Sequence, residues 1–83
     1  MRKVRVEVRL YASLAASHAD VRAGEPLALQ LKDHTLLADL LRTLRIEPRA
    51  VHLAIVNGRL VHDSAYVLSD GDRVGLFPPV GGG

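Results

Sequence analysis

Residues 27–61 read LALQLKDHTLLADLLRTLRIEPRAVHLAIVNGRLV, and the hydrophobic period changes twice within them. Over residues 27–32, Leu27, Leu29 and Leu31 alternate with Ala28, Gln30 and Lys32, which predicts a strand with one buried face. From Thr35 onward the spacing becomes three and four: Leu36, Leu37, Leu40, Leu41 and Leu44 form one broad apolar helical face, opposite Ala38, Asp39, Arg42 and Thr43. Thr35 is the expected N-cap, its hydroxyl accepting from a first-turn N–H. The helix is expected to stop near Arg45 or Ile46, because Pro48 disfavours the helical region for the residue before it. Residues 53–56 then read as a short apolar strand, Asn57-Gly58 supplies the positive φ of a tight hairpin turn, and residues 59–61 return from it. A lone amphipathic helix cannot bury its own face, so it is expected to lie across the inner face of a sheet.

The flanks extend this pattern. In residues 3–11, Val4, Val6, Val8 and Leu10 point one way and Lys3, Arg5, Glu7, Arg9 and Tyr11 the other. This predicts a first strand paired antiparallel with the second. Residues 12–25 allow a turn of helix but then lose periodicity and end at the turn signals Gly24 and Pro26. Residues 62–70 show little period. Asp70-Gly71 marks a turn, with Asp70 expected to accept from nearby backbone N–H groups and neither Asp70 nor Asp72 expected to be buried. In the last strand, residues 73–77, Val74 and Leu76 face inward and Arg73, Gly75 and Phe77 outward. The order strand, strand, helix, strand, short strand, strand predicts an α+β protein. It fits a β-grasp arrangement, a mixed four- or five-stranded sheet covered by one main helix, with another small α+β sheet as the alternative. Residues 1–77 form the predicted domain and residues 78–83 a flexible tail.

Composition narrows the chemistry. A chain of 83 residues forms one domain that buries roughly 60–68% of its unfolded surface, leaving little volume for an enclosed catalytic cleft. With no cysteine, a disulfide scaffold, a cysteine zinc site, an iron–sulfur cluster and a thiol nucleophile are excluded. The formal charge of +2 is too small to predict nucleic-acid or membrane binding. Arg outnumbers Lys nine to two. Charged residues interrupt any apolar leader near the start, and no apolar run reaches the roughly 20 residues of a membrane span, so cytoplasmic localisation is expected. His18, His34, His52 and His62 lack metal-ligand spacing. No catalytic triad and no GxxxxGK[ST] phosphate loop occur, so no independent catalysis and no bound cofactor are expected.

The chain ends Phe77-Pro78-Pro79-Val80-Gly81-Gly82-Gly83. Two prolines stiffen the exit from the last strand, whereas three glycines resist ordering and carry no Cβ. Six residues reach about 20 Å, beyond the radius of gyration of about 12 Å expected for this length. The Gly83 carboxylate is the reactive group at the tip. It becomes an acyl donor only after activation, for instance by adenylation with ATP, which a partner would have to perform. Taken alone, the glycines are equally a frayed end.

Several segments together resemble the MoaD/ThiS family of ubiquitin-like sulfur carriers, most closely the small subunits of molybdopterin synthase. These are Arg9-Leu10-Tyr11-Ala12-Ser13-Leu14, Thr35 before the leucine-rich helix, Val56-Asn57-Gly58, and Asp70-Gly71-Asp72-Arg73-Val74 running into the Phe77–Gly83 tail. The resemblance implies that an E1-like (MoeB/ThiF-like) enzyme uses ATP to make a glycyl adenylate at Gly83. A sulfur donor, such as a cysteine desulfurase or rhodanese system, then converts it to a thiocarboxylate. In the molybdopterin branch the tail enters a MoaE-like large subunit and gives its sulfur to a pterin precursor of the molybdenum or tungsten cofactor. Carriage for thiazole, tRNA thiolation or another metabolite, or conjugation to lysine through Gly83, are the alternatives.

The expected site is Gly83 with Gly82, approached through Phe77, Pro78, Pro79, Val80 and Gly81. Phe77 either faces a partner from the sheet's outer side or tucks against Tyr11 or a loop. Arg5, Arg9 and Arg73 either contact an acidic partner surface or serve only as solvated charges.

Overall fold

The computed structural model describes residues 2–16 and 22–79. Five strands, β1 (Lys3–Leu10), β2 (Leu27–Lys32), β3 (Leu53–Val56), β4 (Arg59–Val61) and β5 (Arg73–Phe77), form one sheet in the order β2-β1-β5-β3-β4. One turn of helix, α1 (Ser13–Ala16), follows β1; the main helix α2 (Leu37–Thr43) and a 3-10 turn (Pro48–Ala50) separate β2 from β3. β1 pairs antiparallel with β2, with Val4 opposite Leu31 and Val8 opposite Leu27, and parallel with β5, with Leu10 beside Leu76. β3 runs antiparallel to both β4 and β5. This mixed sheet with one covering helix is the ubiquitin-like β-grasp fold.

The alternation in the sequence sets which face is covered. Val4, Val6, Val8 and Leu10 of β1, Ala54 and Val56 of β3, and Val74 and Leu76 of β5 are buried in one cluster with Leu37, Leu40, Leu41 and Leu44. Asn57 and Gly58 both take positive φ, 53° and 81°, the geometry of a hairpin turn whose twist matches its strands.

Both ends of α2 differ from the expectation. Thr35 is not the N-cap: its hydroxyl donates to the Lys32 carbonyl at 2.6 Å, and the helix starts at Leu37 behind Leu36. The first-turn donors are met from elsewhere. Leu37 N–H donates to the Tyr66 carbonyl (2.8 Å) and Ala38 N–H to that of Ser64 (2.9 Å), and the Asp39 carboxylate accepts from Leu36 N–H (3.2 Å). The aperiodic 62–70 segment therefore caps the helix.

At the other end α2 stops at Thr43, before Pro48 exerts any effect. Arg45 takes φ +59°, its N–H donates to the Arg42 carbonyl at 3.0 Å, and Ile46 N–H donates to the Leu41 carbonyl at 2.8 Å. This is a Schellman closure with arginine where glycine is favoured. Arg45→Gly is expected to raise stability by about 0.5–1 kcal/mol by relieving the left-handed strain, measured as a higher urea midpoint at constant m value.

The turn before β5 also departs from the expectation. Asp72 is 5% exposed. Its carboxylate accepts from Asn57 Nδ2 and from Ser69 N–H, both at 2.8 Å, while the Asn57 side-chain oxygen accepts from Arg73 N–H at 2.9 Å. Asp70 reaches across to β1, accepting from Arg5 N–H at 2.7 Å. One polar knot thus ties this turn to β1 and to the β3–β4 hairpin.

Candidate functional site

β5 occupies the centre of the sheet and is held on both sides to its last residue. Tyr11 N–H donates to the Leu76 carbonyl (3.2 Å) and His52 N–H to the Phe77 carbonyl (2.7 Å). The chain then leaves through Pro78, half-buried, and Pro79, exposed. Val80, Gly81, Gly82 and Gly83, including the expected carrier residue, lie outside the described residues, as does His18.

The helix covers only one face of the sheet, so outward-pointing residues form an open surface around the tail's root. The Phe77 and Tyr11 rings stack with centroids 4.3 Å apart and planes 3° from parallel. Phe77 is therefore on the outer face, half-buried, and against Tyr11. Gly75 lies under the pair: a Cβ there would sit in ordinary van der Waals contact with both rings, 3.4 Å from that of Phe77 and 3.7 Å from that of Tyr11. On the far side Gly24, at φ +74°, approaches so closely that a Cβ would lie 3.3 Å from Tyr11. Gly75→Val adds γ-carbons where even a Cβ is close. It is expected to break the stack and cost about 1–2 kcal/mol, visible as a changed near-UV tyrosine signal and a lower urea midpoint.

Strand register extends this surface with residues that the sequence reading did not select. Leu53 is opposite Phe77, Ile55 opposite Gly75, and Leu60 opposite Ile55; Leu60 is 50% exposed. Together with the aromatic pair they form an apolar patch beside the tail. The available signal was the period-two pattern of the hairpin itself, which puts Ile55 and Leu60 on one face once Asn57-Gly58 is read as a two-residue turn.

The three arginines share this outer face but differ in state. The Arg9 guanidinium is paired with Glu7 at 3.0 Å, whereas Arg5 and Arg73 have no ion pair among the described residues. They line a depression of about 560 Å³ with Lys3, Glu7, Gln30 and Asp70. A surface of this kind suits a partner with an apolar contact near the tail and carboxylates to one side. Among the described residues no three His, Asp or Glu are grouped to hold a metal ion, and no helix is long and apolar enough to cross a membrane.

Comparisons with known proteins match this architecture. The chain is similar to the HVO 2177 protein of Haloferax volcanii at 26% identity and a TM-score of 0.72, over 98% of this chain and 88% of that one. It resembles the small archaeal modifier protein 1 of the same organism in fold, at 22% identity and a TM-score of 0.72, over 93% and 99% of the two chains. It is also similar to a chain in the complex of subunits 1 and 2 of the molybdopterin-converting factor from Helicobacter pylori, at 25% identity and a TM-score of 0.59, over 96% and 100%. No curated protein sequence matches the chain. The ThiS family model matches residues 11–83, a span holding both aromatic residues of the patch, Asn57 and Asp72 of the polar knot, and the glycine tail. The chain therefore belongs to the ThiS family.

Proposed function

We propose that this chain carries sulfur for molybdopterin synthesis on the Gly83 carboxylate, as the small subunit of a synthase. The observation that carries the reading is the root of the tail. A central strand, hydrogen-bonded on both sides up to Phe77, delivers Pro78-Pro79 and the glycines from a patch open to a partner. An E1-like enzyme activates Gly83 with ATP: the carboxylate attacks the α-phosphate, pyrophosphate leaves, and a glycyl adenylate forms. The terminal sulfur of a donor persulfide then displaces AMP to form an acyl disulfide, and a second thiol attacks the donor's sulfur, releasing the thiocarboxylate and leaving a disulfide on the donor. The body of the chain supplies docking and presentation, and catalysis belongs to the partners. The large-subunit partner is supported by the Helicobacter pylori structure, which holds subunits 1 and 2 of the molybdopterin-converting factor together. Residence in the cytoplasm follows from this reading.

The test is discharge. The thiocarboxylated chain is mixed with a MoaE-like large subunit and a pyranopterin precursor and followed by intact mass. Return to the carboxylate only when both are present supports the reading. Discharge only into a thiazole or tRNA-thiolation system would assign the chain to a sibling carrier, and an isopeptide bond to lysine in place of discharge would make it a modifier.

A further inference from the structure

Asn57 is the sole asparagine of the chain and is followed by Gly58. The pair forms an exposed turn with both residues at positive φ, and a Cβ placed on Gly58 would meet nothing within 4 Å. Asparagine is thermally labile, and a following glycine leaves the next amide nitrogen unshielded by any side chain. Sequence and exposure therefore favour attack of that nitrogen on the asparagine carboxamide. The hydrogen bonds oppose it. Asn57 N–H donates to the Arg73 carbonyl at 2.8 Å, its side-chain oxygen accepts from Arg73 N–H at 2.9 Å, and its Nδ2 donates to Asp72 at 2.8 Å. Both ends of the carboxamide are thus held against the start of β5. Turning it toward Gly58 breaks two bonds and takes from the buried Asp72 carboxylate one of the two donors it has in Asn57 and Ser69.

We propose that Asn57 is a deamidation site that Asp72 and Arg73 hold closed, and that its conversion loosens the hairpin carrying Ile55 and Leu60. In the step, hydroxide removes the Gly58 amide proton and the nitrogen attacks Asn57 Cγ. A C–N bond forms, the Cγ–Nδ2 bond breaks, and ammonia leaves with a proton taken from water. Water then opens the succinimide: cleavage at Cγ gives aspartate, and cleavage at the main-chain carbonyl gives isoaspartate. Nothing is oxidised or reduced, and water is the only co-reactant consumed. Each product disturbs the knot. Aspartate sets a second carboxylate against that of Asp72, where an amide donated before. Isoaspartate adds a carbon to the main chain of a turn whose geometry matches the twist of its strands. The site does not depend on the carrier reading.

The full chain is incubated at mildly alkaline pH, folded and in concentrated guanidinium chloride, and the tryptic peptide of residues 50–59 is followed for the amide-to-acid mass gain. The folded chain is expected to convert at least about tenfold more slowly than the unfolded one, because reaction waits on local opening. Asp72→Ala, compared at a temperature where circular dichroism shows it folded, should convert about tenfold faster than the folded parent. Leu41→Ala weakens the core without touching the knot and should stay close to the parent rate. Asn57→Asp should unfold at a lower urea midpoint than the parent. Any of four results overturns the proposal: equal rates in the folded and unfolded chain, no acceleration in Asp72→Ala, equal acceleration in Leu41→Ala, or an unchanged midpoint in Asn57→Asp.

Discussion

Replacing Gly83 with alanine, or adding one residue after it, is expected to abolish thiocarboxylate formation while leaving the fold unchanged. The two changes act differently. Alanine puts a Cβ on the tip that must enter an adenylating site shaped for a tail without side chains, and it restricts a backbone that glycine leaves free. An extra residue converts the Gly83 carboxylate into an amide and moves the terminal carboxylate one residue further out. Neither change touches the core, whose buried members among the described residues lie between Val4 and Leu76. Far-UV circular dichroism and Tm should therefore match the parent chain. Intact mass after reaction with ATP, the E1-like enzyme and a sulfur donor should show no oxygen-for-sulfur exchange. Ordinary exchange in either variant would remove Gly83 from the mechanism.

Asp72→Ala is expected to cost about 2–4 kcal/mol, a large share of the roughly 4–12 kcal/mol available to a domain of this size. The carboxylate is buried and each of its oxygens accepts one hydrogen bond, from Asn57 Nδ2 and from Ser69 N–H. Truncation leaves both donors without an acceptor in a place water reaches poorly, so the cost is their desolvation rather than the lost bonds alone. Asp72→Asn keeps the volume but turns one acceptor into a donor facing a donor, and should lose an intermediate amount. Asn57→Ala should destabilise less when Asp72 is already alanine, because the two side chains share one bond. Urea titration of the double-mutant cycle measures that coupling. Additive losses would contradict the knot.

The knot also marks the limit of what the sequence disclosed. Strand faces were legible because burial of one side imposes period two, and β1 and β5 alternate as written. The main helix was legible from its leucines. Its ends were not, since they depend on partners distant in sequence: the Ser64 and Tyr66 carbonyls meet the donors that Thr35 was expected to meet. Asp72 read as a solvated turn residue because its partner is Asn57, fifteen residues away, in a turn whose own signal was satisfied locally. Arg45 in a left-handed conformation has no local signature at all, because the Schellman closure usually takes glycine there. At the candidate site, Phe77 and the arginines fell on the outer face by alternation. Contact of Phe77 with Tyr11 was one of two readings of the sequence, and Gly75 was given no role; the β1–β5 pairing supplies both, bringing residues far apart in the chain to within ring-stacking distance.

The most direct test of the central claim is the mass of the tail itself. After incubation with ATP, an E1-like enzyme and a sulfur donor, the tryptic peptide of residues 74–83 is fragmented. The account predicts a single oxygen-for-sulfur exchange confined to Gly83. An unmodified peptide, or sulfur placed anywhere else in the chain, would contradict it.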